Sequence, residues 1–121
     1  MFTSFLYPES SFSSQVELKP CIEVADCVRE ERDVRNSEKH FEAFESIKSI
    51  IEITPRTELV ELNRDYLHAE VTSKWMKYVD DLEVSYFPEL KKLLIRSESR
   101  VGESDLGVNQ KRIDLLKEKM F

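Results

Sequence analysis

The string Asp65-Tyr66-Leu67-His68 sets a carboxylate and an imidazole three residues apart, the spacing that brings two side chains onto one face of a helix. That pair could ligate a metal or share a proton. Di-iron bundles, however, repeat the acid-x-x-His motif and add two further carboxylates. No second such motif occurs here. Glu61 and Glu70 could join His68, but 24 acidic residues supply such neighbours by chance. The region is expected to be a solvated face, with a small helical metal-binding protein or enzyme built on Asp65 and His68 as the alternative.

Cysteine chemistry is the next candidate. Cys27 stands two residues before Arg29, which could lower a thiol pKa, but a nucleophilic thiolate also needs a base. His40 and His68 are the only imidazoles, and both are distant in sequence. Cys21 and Cys27, if helical, would lie about 9 Å apart along the axis and about 120° apart around it, too far to bridge. They are expected to be free, small hydrophobes in a reducing compartment. No Cys-x₂₋₄-Cys pair suggests zinc, and no glycine-rich phosphate loop, Gly-x-Ser-x-Gly elbow or His-Glu-x-x-His occurs. The reading is therefore not an enzyme, with no cofactor and no metal.

Charge narrows the partners. The net charge of −6 and a pI near 5.0 disfavour duplex DNA and anionic membranes, which need clustered cations. The basic strings at 91–96 and 111–119 interleave lysines with apolar residues but hold no aromatic side chain for base stacking. Both features speak against nucleic acid as a partner. The aromatics Tyr66, Trp75, Tyr78, Tyr86 and Phe87 gather elsewhere, as a helix core or an interface would.

The elements that must position these residues are expected to be helices. Two glycines in 121 residues argue against turn-rich sheets. Residues 1–15 read as a flexible arm, with Phe2, Phe5 and Tyr7 available for docking, and residues 16–121 as a single helical domain. Residues 15–28 are ambiguous between a helix opened by Pro20 and a strand. Residues 29–40 read as a solvated helical linker or loop. Over Ser37–Ile53, Phe41, Phe44, Ile47, Ile50 and Ile51 recur at spacings of three and four, predicting a helix buried on one side.

Thr54-Pro55 stops that helix and is read as starting a long one, Pro55 to about Ser85, striped by Val60, Leu67, Val71, Trp75, Tyr78 and Leu82. Ser85 and Pro88 would open a short helix carrying Leu90, Leu93 and Leu94. Asn109 would cap a last one carrying Ile113, Leu116 and Met120.

The expected fold is all-α, an irregular antiparallel bundle of four to five helices, or α+β if residues 15–28 form a strand. The expected function is a non-catalytic protein–protein interaction module, whether subunit, adaptor or small regulator. It would contact a partner protein through Trp75, Tyr78 and Leu82, with Phe2, Phe5 and Tyr7 as a second surface. The alternative is a homodimer or larger homo-oligomer joined along the Val60–Leu82 stripe as a coiled-coil seam. No apolar run approaches the roughly 20 residues that span a bilayer, and the N-terminus lacks the pattern of a secretory signal, so the cytoplasm or nucleus is expected.

Overall fold

Hydrophobic residues alternate at period two in three places: Leu67, Ala69 and Val71; Leu82, Val84 and Tyr86; Leu93 and Ile95. In a computed structural model these are the inward faces of neighbouring strands. The structure describes residues 17–22, 26–34, 42–75, 77–100 and 107–120. In chain order the elements are β1 (Cys27–Asp33), α1 (Ala43–Ile53), β2 (Thr57–Leu62), β3 (Tyr66–Thr72), β4 (Val79–Phe87), β5 (Lys92–Ser99) and α2 (Val108–Met120). The strands form one antiparallel sheet in the order β1-β5-β4-β3-β2.

Both helices lie on one face of this sheet. Phe44, Ile47 and Ile51 of α1 and Ile113 and Leu116 of α2 pack with Leu67, Ala69, Leu82, Val84, Leu93 and Ile95 into the main core. The fold is α+β, and the all-α bundle of four to five helices is overturned. The predicted helix over 55–85 is instead β2, β3, a hairpin and β4. Spacings of four along it are also multiples of two, so a strand pattern passed for a helical stripe. Its coiled-coil seam disappears with it, because Val60, Leu67, Trp75 and Leu82 sit on different elements. The short helix expected around Pro88 is also absent: Pro88–Lys91 is the turn between β4 and β5.

The left-handed turn positions that glycine usually fills are held by Arg56 (φ 57°), Lys77 (φ 61°) and Lys91 (φ 53°). A shortage of glycine therefore carried no information about sheet content here. β1 was hidden for another reason. It occupies the charged stretch read as a linker, and only its first two residues fall within 15–28. Its charges are paired on both faces, Glu30 with Lys117 at 2.6 Å toward the helices and Glu31 with Lys92 at 2.8 Å on the other side. A charged edge strand of this kind also resists pairing with stray chains.

The cysteine reading is corrected as well. Cys21 and Cys27 form a disulfide, their Cα atoms 5.6 Å apart, because they lie on non-helical chain rather than along a helix. Asn109 does not cap α2. It lies inside the helix, fully buried, where its side chain bonds Ser97, Ser99 and the carbonyl of Asp26. The helix begins instead after Gly107 (φ 82°), whose carbonyl accepts the Lys111 N–H.

Candidate functional site

Strand alternation gives the sheet a second, outer face, and its register lines up an ionic network. β4 supplies carboxylates, β3 supplies ring donors and β5 leads to guanidiniums. Tyr66 donates to Glu83 Oε2 at 2.6 Å, and Arg96 lies 3.6 Å from Glu83 Oε1. His68 Nε2 donates to Asp81 Oδ1 at 2.7 Å, the carboxylate being able only to accept. Arg100 grips both Asp81 oxygens, at 2.8 and 2.9 Å, and reaches Glu70 at 2.6 Å. These Arg100 hydrogen bonds hold the Asp81 carboxyl below its ordinary value, with help from His68 and against burial. Burial, then Glu83, pushes the Tyr66 hydroxyl up, so it stays a donor.

Leu18 covers the neighbouring patch of Tyr66, Leu94 and Phe87, and its carbonyl accepts from Arg29 Nε at 3.3 Å. The disulfide fixes this segment to the start of β1. His68 has no hydroxyl or thiol within hydrogen-bond reach among the described residues, and no three potential ligands converge on a metal position among them. The network fixes the outer face. Asp65 does not join it: Asp65 precedes β3, and three positions along extended chain point to the opposite side from His68. The Asp65 carbonyl accepts the Tyr86 N–H, and burial raises its carboxyl.

The other candidate lies on the helical face. Between the C-terminal half of α1, the middle of α2 and the sheet opens a cleft of about 100 Å³. Ile50, Ile51, Val71, Leu82 and Leu116 line it with apolar surface, Thr54 and Thr57 lie at its α1–β2 end, and Leu115, Arg112 and Lys119 complete the α2 side. Its parts are placed by local chemistry. α1 ends at Thr54, whose N–H bonds the Ile51 carbonyl and whose hydroxyl bonds that of Ile50 at 2.6 Å. The following turn is tied to the sheet by the Thr72 N–H to the Arg56 carbonyl. Arg112 bridges to Asp80 at 3.0 Å and bonds Ser97 and Asn109, so it is fixed to the sheet. Lys119 forms no ion pair among the described residues.

The residues expected to bind a partner are distributed unevenly. Trp75 stands 81% exposed in the β3–β4 hairpin, with Lys74 Nζ 5.0 Å from its ring centroid, and Tyr78 is 44% exposed in the same hairpin. Leu82 is only 2% exposed and floors the cleft. The three are not one helix face. The hairpin leaves the sheet at the end where Val71 enters the cleft wall. Phe2, Phe5 and Tyr7 lie outside the described residues. The sequence gives no sign that Thr54, Leu115 and Lys119 share a site, because nothing local marks residues from two distant helices as neighbours.

A helix-covered antiparallel sheet with an open apolar cleft between its helices defines an α+β domain. Residues 12–120 match the family described as "Protein of unknown function (DUF1499)", and the chain belongs to that family. No curated protein matches it.

Proposed function

We propose that this domain is a non-catalytic protein-interaction module that docks a partner segment in the α1–α2 cleft, flanked by the Trp75 hairpin. The observation that carries the reading is an apolar cleft left open between the two helices and the sheet they cover. Its lips are apolar too: Leu115 is 50% exposed, and Ile53, next to Thr54, is 80% exposed. Large apolar side chains grouped around a preformed concavity are the usual composition of a docking site.

The disulfide supports a compartment different from the reducing one expected from sequence. Such bonds persist in oxidising surroundings and are rare in the cytosol and nucleus. The module therefore acts in an oxidising compartment.

Selection of a phage-displayed random peptide library on the full chain and on a Leu115→Glu variant tests the docking reading. Sequences enriched on the native chain and lost on the variant are expected. Enrichment indifferent to position 115, or none at all, would overturn it.

A further inference from the structure

We propose that one end of the sheet rests on the interfacial zone of a lipid bilayer, with Trp75 and Ile53 inserted as apolar tips. This contact is independent of the cleft.

Strand pairing gathers the tips. The antiparallel register puts the starts of β1, β2 and β4 and the ends of β3 and β5 at one end of the sheet. The α1–β2 turn and the β3–β4 hairpin both lie there, joined by the Thr72 N–H to the Arg56 carbonyl. Among the described residues, three large apolar side chains are at least 80% exposed: Ile22 at 87%, Trp75 at 81% and Ile53 at 80%. Trp75 belongs to the hairpin, and Ile53 stands three residues before Arg56. Ile22 follows Cys21, which the disulfide ties to Cys27 at the start of β1. All three therefore lie at the same end. The hairpin is closed by the Ser73 N–H to the Tyr78 carbonyl at 2.8 Å and by the Tyr78 N–H to Ser73 Oγ at 2.9 Å, so Trp75 is displayed on a fixed loop.

The form of this surface favours lipid over protein. The three side chains stand on separate segments, and none of them lines the cleft. A protein partner would need a close-fitting pocket for each isolated knob. A bilayer deforms around them, and its interfacial zone is where tryptophan and tyrosine collect. Charge is not the basis of the contact. Arg56, Lys74 and Lys77 at this end are offset by Glu52 and Glu58, and the chain carries −6. The basis is apolar insertion, which gives weak, reversible binding that scales with the area buried. Lys74, its Nζ 5.0 Å from the Trp75 ring centroid, can keep its ammonium in water while the ring enters.

Trp75 is the chain's one tryptophan, so its fluorescence reports the contact directly. The test is titration of the full chain with phosphatidylcholine vesicles. Emission should shift to the blue and be quenched by bromines placed high on the acyl chains. Partitioning read by vesicle flotation should fall at least about tenfold in Trp75→Ala and about threefold in Ile53→Ser. Exposed Leu90, in the β4–β5 turn at the other end, serves as the control, and Leu90→Ser should leave partitioning unchanged. Unchanged melting temperatures separate these losses from unfolding. Emission that does not move with phosphatidylcholine, or moves only when phosphatidylglycerol is added, would overturn the proposal. An equal loss in Leu90→Ser would overturn it too.

Discussion

Asn109 joins α2 to β5 and to the residue that precedes β1 through one buried amide. Its oxygen accepts from the Ser97 hydroxyl at 2.6 Å and from Arg112 at 2.8 Å; its nitrogen donates to the Asp26 carbonyl at 3.0 Å and to Ser99 at 3.1 Å. Removing one member of a satisfied buried network leaves the others unpaired, and each such group costs about 1–3 kcal/mol. Asn109→Leu should therefore lower unfolding free energy by about 2–4 kcal/mol in urea, while exposed Val108→Ala stays within about 0.5 kcal/mol.

Asp81 gives a second test. Its carboxyl is depressed in the folded state, so folding favours its ionised form. That contribution is complete above the ordinary carboxylate value of about 3.9 and fades as pH falls below it. The native urea midpoint should drop below about pH 4, and Asp81→Asn should flatten the drop. An equally steep profile in the variant would remove Asp81 from the acid response.

The turns explain why the elements were misjudged. Lys91 adopts φ 53° between β4 and β5, a conformation that costs a side-chain-bearing residue about 1–2 kcal/mol. Lys91→Gly relieves that cost while loosening the unfolded chain, so a net gain of about 0.5–1 kcal/mol is expected, read as a higher melting temperature. No gain would mean that the Lys91 side chain makes compensating contacts. The same substitution pattern, cations where glycine is usual, disguised the sheet.

What is local was readable. The Phe44–Ile47–Ile51 face of α1 and the Ile113–Leu116 face of α2 follow a 3.6-residue period and appear as helices. β3 and β4 were not read, because Leu67, Val71 and Leu82 satisfy a helical period as well as a strand one. β1 was not read, because its charged residues are stabilised by Lys117 and Lys92, 87 and 61 positions away. The cleft is the least local feature of all. Sequence spacing places Leu82 in the site, but as part of a helix that does not form. Its true neighbours Ile50 and Leu116 come from elements that only the tertiary fold brings together.

Taken as one body, the molecule has a pinned outer face and an open helical face. The disulfide closes a short loop near β1, holding Leu18 over Tyr66, Leu94 and Phe87. Chain-entropy arguments put the contribution of so short a loop at about 2 kcal/mol. Replacing both Cys21 and Cys27 by serine should destabilise by about that amount. Alkylation of the denatured native protein without reductant should modify neither thiol. Two modified thiols in protein taken directly from its cells would argue against an oxidising compartment.

The proposed function belongs to the helical face. The most direct test of docking in the cleft is to replace Leu115 with a photo-crosslinking benzoylphenylalanine and irradiate the protein in its native cells. A replacement at Glu61, on the outer side of the sheet, serves as the control. The account predicts a discrete crosslinked polypeptide from position 115 and none from position 61. No adduct at position 115, or the same adducts from both positions, would contradict it.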